Sequence, residues 1–368
     1  MTHLYNHFVV LIALLLLSSM QLFGQINVPR GSQMATVSQT VGTSQITINY
    51  SRPSVNGRTV WGELVPFGLN DLGFGTSKAA PWRAGANENT TITFSHDMLV
   101  EGQAVEAGTY GLFLEVQEGN SAKLILSRTS TAWGSFFYDP SNNALVADIN
   151  TSTIPHTEVL TFGFPEVTPN STTATLMWEK RAFPFKIEVP VSKIVLNEIR
   201  ASLENQPGFN RQTWEQAANF ALNNGGDLQE ALGWIDAAID GQFFSQKTFN
   251  NLMIKSAILE AMDRGEEAED LMKQNLALGS VFEVHQYGRQ LIANGKTDEA
   301  MEVFIYNADQ HKDTWPVHYG MARAYSAKGD YVKALEHLEI AHNNAPNDAS
   351  RGRVAANIAK LKKGEDIN

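Results

Sequence analysis

The sequence predicts a multidomain chain, an all-β sandwich followed by an all-α helical solenoid. Three observations carry that prediction. Apolar residues recur at every second position from residue 25 to about 189, they recur at helical spacing after Pro190, and short blocks near the end repeat about every 34 residues. A length of 368 residues suits two folded units, each able to bury its own core. The expected division is a signal peptide at 1–24, a β domain at 25–189, a linker helix at 190–208 and a repeat domain at 209–368.

The first element is an unbroken apolar run of ten residues at 8–17, followed by Ser18 and Ser19. It is too short to span a bilayer as a helix, which needs about 20 apolar residues, and it suits a signal-peptide core. Cleavage after Gly24 is expected, which makes the protein exported, either periplasmic or secreted. An uncleaved anchor or a buried strand is the competing reading, because no Lys or Arg precedes the run. Lys and Arg number 28 against 39 Asp and Glu, a net charge of −11, so phosphate backbones and anionic membranes are poor partners. We expect no nucleic acid, and no membrane after cleavage. With 0 Cys there is no disulfide, thiolate metal site or lipid-attachment thiol, and no cofactor is expected.

Strands are expected at 45–50, 98–100, 109–116, 123–127, 145–149, 159–164, 173–178 and 185–189, separated by Gly, Asn or Pro. Glu101-Gly102 and Ala107-Gly108 read as tight turns, with Gly where positive φ is easiest. The segment from Val55 to Trp82 holds Gly57, Gly62, Gly68, Gly73 and Gly75 with little periodicity, as a functional or mobile loop does.

The organising stretch is 81–94, where Pro81-Trp82-Arg83-Ala84-Gly85-Ala86-Asn87-Glu88 leads into a strand whose Ile92 and Phe94 face one way. Small residues let the backbone come close, and Arg83, Asn87 and Glu88 are held at the strand's mouth. Pro53 forces Arg52 into an extended conformation, so Arg52, Arg58, Arg83, Asn87 and Glu88 can converge. A guanidinium fork holds a carboxylate or sugar hydroxyls, with Trp61 or Trp82 as a stacking face. In the competing reading Arg83 and Glu88 are a structural ion pair.

After Pro190, Ser192 is placed to cap a helix with Val195, Ile199 and Leu203 on its apolar face, ending at Pro207-Gly208. Paired helices follow. The block Gly295-Lys296-Thr297-Asp298-Glu299-Ala300 recurs 34 residues later as Gly329-Asp330-Tyr331-Val332-Lys333-Ala334, and Phe304 and Leu338 keep the offset. Gly225 to Ala231 has the same form and Arg264 to Ala268 a degraded one, with alanine spacings of 37, 32 and 34. This is the pattern of helix–turn–helix units that stack to share a core. Tyr325, Ala341 and Pro346 complete a copy that closely resembles a tetratricopeptide repeat, and residues 353–362 read as a capping helix. That resemblance implies a concave groove for a protein or peptide, lined by His285 and Tyr319 and by Arg289 and Arg323 at equivalent places. Solvated helix positions are the competing reading. Trp214, Phe220, Trp234, Phe243 and Phe244 are expected to pack against the β domain.

The β half carries a second resemblance. Ser51-Arg52-Pro53-Ser54-Val55-Asn56-Gly57-Arg58, Trp61-Gly62-Glu63-Leu64-Val65-Pro66-Phe67-Gly68, Trp82-Arg83-Ala84-Gly85-Ala86-Asn87-Glu88-Asn89-Thr90 and Ala107-Gly108-Thr109-Tyr110-Gly111-Leu112-Phe113 look like the blocks of domain-of-unknown-function family twenty-nine-eleven, with Trp133-Gly134 and Trp178-Glu179-Lys180 extending the match. The resemblance covers about 28–188 and implies an exported bacterial protein, often followed by helical repeats, with no assigned activity. Residues 69–81 are a longer link than the family's.

Enzymatic signals are weak. His96-Asp97 and His156 with Glu158 lack metal-ligand spacing, there is no Gly-x-Ser-x-Gly elbow, and Gly73-Phe74-Gly75 is no dinucleotide fingerprint. The first functional expectation is therefore an exported, non-enzymatic interaction or scaffold protein. Its repeats would dock a protein or peptide, and its β domain would bind a small polar ligand or act structurally. The alternatives are a glycan or peptide hydrolase centred on Arg83 to Glu88, with Glu88 as base and His96 as its partner, and a carbohydrate-binding module using Trp61 and Trp82.

Overall fold

The computed structural model describes residues 29–368, which divide after Val191 into two compact units. The expected signal peptide at 1–24 lies outside the described residues. The first unit contains β1 (Gln33–Val41), β2 (Ser44–Arg52), β3 (Thr91–Phe94), β4 (Met98–Val100), β5 (Gln103–Val105), β6 (Gly108–Val116), β7 (Ser121–Ser127), β8 (Asn143–Asn150), β9 (Ser152–Val167) and β10 (Ser171–Glu188). They form two sheets, ordered β1-β2-β3-β6-β7-β8 and β5-β4-β10-β9, antiparallel throughout.

Alternation decides which face is buried, because side chains two apart share a face. Ile46, Ile48, Ile92, Phe94, Leu112 and Leu114 of one sheet, and Leu160, Leu176, Trp178 and Phe183 of the other, are each at most 1% exposed. Tyr50 joins the layers: its ring meets Phe162 edge-on at 4.9 Å, and its hydroxyl accepts the Phe162 N–H at 3.1 Å.

Three strand-level expectations change. The segments read at 173–178 and 185–189 belong to one long strand, β10, with register shifts around Glu179, whose φ is +53°. That bulge lets a strand bend without ending. Strand β1 was not anticipated, because its residues are mostly exposed or half-buried, with Met34 63% exposed, and so show no apolar alternation. Ala107-Gly108 carries the chain from one sheet to the other, while Glu101-Gly102 closes the β4–β5 hairpin with φ of +48° and +75°.

The glycine-rich segment between β2 and β3 is pinned at intervals. Val55 N–H donates to Glu158 O at 2.9 Å and Gly68 N–H to Val116 O at 2.8 Å. Asn70 and Ala80 exchange bonds of 3.0 and 2.8 Å, and Trp82 and Leu114 exchange bonds of 2.9 and 2.8 Å. Backbone donors and acceptors that find partners off the ladder remove the mobility that composition suggested.

The second unit is built from ten helices: α1 (Val191–Leu203), α2 (Arg211–Asn223), α3 (Leu228–Ile239), α4 (Phe249–Ala261), α5 (Gly265–Lys273), α6 (Val281–Ala293), α7 (Thr297–Gln310), α8 (Trp315–Ala327), α9 (Tyr331–Asn343) and α10 (Asp348–Leu361). Helices α2 to α9 form four sequential pairs. Helix α1, read as a linker, buries Leu196 against Ala217, Ala218 and Trp234, with Ile199 and Leu203 alongside. Its buried face is Ile194 and Leu196 where Val195 was expected.

The repeat turns share one backbone requirement. Gly225, Gly295 and Gly329 hold φ of +72°, +79° and +78°, and Asp263 takes +60° in the degraded copy. Glycine ends a helix there without a Cβ penalty, whereas Asp meets a small one. The following alanines, Ala231, Ala268, Ala300 and Ala334, are all 0% exposed, where helices cross closely. Trp214 stacks on Phe244 within this unit (5.8 Å, 21° between planes), and Trp234 lies in its core. No helix among the described residues is long and apolar enough to cross a membrane.

Candidate functional site

In the first unit the organising stretch opens onto a cavity of about 330 Å³, lined among others by Arg58, Pro66, Asn70, Leu72, Pro81, Trp82, Arg83, Gly85, Ser135 and Trp178. The long link at 69–81 therefore builds part of its wall. Ala84 and Asn87, neither a glycine, hold φ of +49° and +61°. Left-handed backbone at non-glycine residues costs about 1 kcal/mol or more each and persists only where the surroundings enforce it. Here the Thr90 hydroxyl donates to Ala84 O at 3.1 Å and the Asn87 amide to Ser32 O at 3.1 Å.

The expected five-residue cluster divides. Arg52 turns to the other sheet, donating to Leu160 O at 2.9 Å and to the Thr161 hydroxyl at 2.7 Å. Glu88 pairs with Arg30, whose hydrogen bond holds its carboxyl below the usual range. The expected Arg83–Glu88 pair does not form. Arg83 donates to its own loop, at the Asn87 carbonyl, and lies over the Phe136 ring at 5.2 Å. Its guanidinium, held below its ordinary pKa by burial, has no carboxylate partner among the described residues. Among the described residues Arg58, on the same cavity, donates only to the Val55 and Ser54 carbonyls.

The tryptophans occupy one another. Trp82 stacks on Trp178 at 5.8 Å with 17° between planes, and Trp61 meets both edge-on at 5.8 and 5.9 Å. Arg181 lies over Trp61 at 5.7 Å and over Phe183 at 5.1 Å. Trp61 is half-buried among these side chains and does not line the cavity, while Trp82 does. Trp178 is 1% exposed, lines the cavity, and has an indole N–H without a protein partner. Arg58 and Arg83 give an apolar-walled hole a cationic lining, which is chemistry for an anion.

The residues of the proposed hydrolase are held apart from this arrangement: Glu88 by Arg30, and His96 with its Nδ1 3.0 Å from both the Ser44 and Ser95 hydroxyls. Among the described residues no three His, Asp or Glu stand where they could hold a metal ion.

In the helical unit the four groove residues do come near one another in part. His285 stacks on Tyr319 at 5.9 Å and 11°, and Arg323 lies over Tyr319 at 4.9 Å. Arg289 is exposed and donates to Gln286 at 3.3 Å. His285 Nδ1–H donates to Pro316 O at 3.1 Å, and its pKa is pushed down to about 4, first by burial and then by Arg323.

A larger groove, of about 640 Å³, lies further along the stack and escaped the sequence reading. Gln212, Gln216, Asn219 and Asn223 of α2 face it, with Asn250, Met253, Ile254 and Ala257 of α4 and Gln290 of α6. The signal was available: positions 212, 216, 219 and 223 follow helical spacing and put four amides on one stripe. Such a stripe supplies paired donors and acceptors to an extended backbone.

The histidines yield a pH prediction. His318 and His337 place their Nδ1 atoms 3.2 Å apart and, like His285, are held below the ordinary value by burial. The unfolded chain then binds more protons than the folded one below pH about 6.5. Stability of the helical unit is full above that pH and lost as pH falls toward 4, by roughly 3 kcal/mol from His285. Urea titrations between about pH 7 and pH 5 should show the loss, and His285→Asn should flatten the slope. An unchanged midpoint over that window contradicts the assignment.

Comparisons with known proteins follow the same division. Residues 32–187 match the model of a family described as "Protein of unknown function (DUF2911)", and residues 291–358 match a tetratricopeptide repeat. None of the curated proteins compared is detectably similar in sequence. Among solved structures the chain is similar to YrrB, described as a TPR protein with an unusual peptide-binding site, at 18% identity and a TM-score of 0.29, over 45% of this chain and 84% of that one. It is similar to a thermophilic TPR protein in Thermus thermophilus at 19% identity and a TM-score of 0.32, over 46% of this chain and 91% of that one. A tetratricopeptide repeat protein from Parabacteroides merdae aligns at 16% identity and a TM-score of 0.31, over 48% and 74%.

Proposed function

We propose that the protein is an exported, non-enzymatic interaction scaffold whose helical unit docks an extended peptide and whose β unit binds a small organic anion. The match of residues 291–358 to a tetratricopeptide repeat supports reading the second unit as an interaction scaffold. The single observation that carries the docking reading is the amide stripe of α2 facing α4 across the 640 Å³ groove. Amides bond to backbone without regard to sequence, so affinity would come from the peptide's main chain. Export rests on the apolar run at 8–17. A pull-down of partner proteins comparing wild type with Gln216→Ala/Asn219→Ala tests the groove. Loss of the captured set is expected, and retention of every partner overturns the reading.

The anion reading is carried by Arg83, a half-buried cation on a cavity with no acid beside it. A burial cost that no carboxylate offsets is retained where a ligand supplies the charge. A thermal-shift screen of the full chain against benzoate, inorganic phosphate and neutral sugars tests it. A carboxylate at about a hundred times its Kd should add about 2.7 kcal/mol. Arg83→Gln should fold and lose that gain. Gly134→Ala should lose it too, since Gly134 has φ of +71° and a Cβ there would stand 2.1 Å from the Arg83 guanidinium carbon. A stabilisation by sugars alone, or none by any anion, overturns the assignment.

A further inference from the structure

Residues 365–368 fold back from α10, across Gly364 with φ of +76°, onto the face of α8 that carries Tyr319, Arg323 and Ser326. They are held as a docked peptide is held. The Asp366 carboxylate accepts the Ser326 hydroxyl at 2.5 Å and the Ile367 N–H at 2.7 Å, and Ile367 N–H also reaches Ser326 Oγ at 3.2 Å. Arg323 donates to Ile367 O at 3.1 Å and to the Asn368 side chain at 3.3 Å, and the Asn368 amide returns a bond to Arg323 O at 3.1 Å. The Ile367 side chain, 4% exposed, joins the cluster of Ala322, Leu338, Val354 and Leu361. Asn357 of α10 fixes the receptor side by donating to the Tyr319 hydroxyl at 2.7 Å. The combination is an apolar socket for one aliphatic side chain, a hydroxyl for an acid before it, and a guanidinium for the backbone carbonyl between.

We infer that this face of α8 is a docking site for an Asp-aliphatic-Asn segment of a partner protein, and that residues 365–368 occupy it as a tethered competitor. The inference rests on the reading of the helical unit as a peptide-docking scaffold, but it uses a different surface from the amide groove. The contacts of residues 366–368 define the occupant: the Ser326 hydroxyl reads the acid, the apolar socket takes the aliphatic side chain, and Arg323 reads the backbone carbonyl and the Asn side chain. A tether of a few residues gives the internal segment a high effective concentration, so an outside peptide competes at a disadvantage of about a hundredfold or more. Occupancy from outside then requires release of 365–368, which lie beyond α10 and belong to no helix.

The test uses a fluorescein-labelled peptide of the sequence 364–368, Gly-Glu-Asp-Ile-Asn, with its end amidated, titrated against the full chain and against a variant stopping at Gly364. Fluorescence anisotropy should show binding to the shortened chain about a hundredfold tighter than to the full one. Placing Ala for the peptide's Asp, or Arg323→Ala in the shortened chain, should abolish binding. Gln216→Ala/Asn219→Ala should leave it intact, which separates this site from the amide groove. If the shortened chain loses its helical circular dichroism, Ile367→Asp in the full chain ejects the segment without shortening it and takes its place in the titration. A folded, segment-released protein that fails to bind the peptide overturns the proposal. So does equal binding by the full chain.

Discussion

Phe304→Ala is expected to destabilise the helical unit by roughly 3–5 kcal/mol, the cost of emptying a fully packed aromatic site. Phe304 is 1% exposed and sits in a slot made by two glycines on neighbouring helices. A Cβ at Gly288 of α6 would stand 2.6 Å from its ring, and one at Gly320 of α8 would stand 2.4 Å from it. The slot decides a second result whose sign is not obvious. Gly320→Ala in a helix interior should gain about 1 kcal/mol from propensity alone. Against that, overpacking a rigid ring costs about 1–3 kcal/mol, and a contact of 2.4 Å cannot relax at the free end of a flexible chain. We expect Gly320→Ala to destabilise, and Phe304→Leu to restore part of the loss in the double variant. Urea unfolding followed by circular dichroism measures all three. A Gly320→Ala protein more stable than wild type would show that the close approach is not enforced.

Trp178→Ala should cost the β unit a similar amount, roughly 3–5 kcal/mol. Trp178 is 1% exposed, stacks on Trp82 at 5.8 Å and meets Trp61 edge-on at 5.9 Å, so its loss removes the common neighbour of two other rings. It also lies in the wall that Arg83 shares. The variant should therefore lose any anion-dependent stabilisation along with its folding free energy, whereas Trp178→Phe should keep most of the second and less of the first. Equal retention of anion binding by Trp178→Ala would remove the cavity from the account. Trp178 lies beside the bulge at Glu179, where register shifts on both sides let β10 continue.

How much of this was legible beforehand varies with the range of the interactions involved. Ile46, Ile48, Ile92 and Phe94 announce their sheet by alternation, and Ala300, Phe304, Ala334 and Leu338 announce the stack by their offset of 34, because burial there follows from neighbours in sequence. Partners distant in sequence were not legible. Arg83 and Glu88 look like a pair at a spacing of five, yet the left-handed Ala84 and Asn87 turn the loop so that Arg83 meets its own backbone and Glu88 meets Arg30, 58 residues away. Arg181, which donates to the carbonyls of Gln117, Gly119 and Ser121, carried no local signal at all.

The groove tells the same story. Arg323 was expected to face a partner's acid, and its place on α8 was readable from the repeat. That residues 365–368 already lie across it depends on a reversal after α10 that no periodicity encodes. By itself the sequence determined the two architectures and the residues at their cores, since a hydrophobic rhythm of two or of 3.6 residues is a local property. Only the tertiary structure decided which charges find partners, which cavity keeps an arginine with no carboxylate partner among the described residues, and which surface the chain covers with its own residues. Those are contests between groups far apart in sequence, and packing alone brings them within reach.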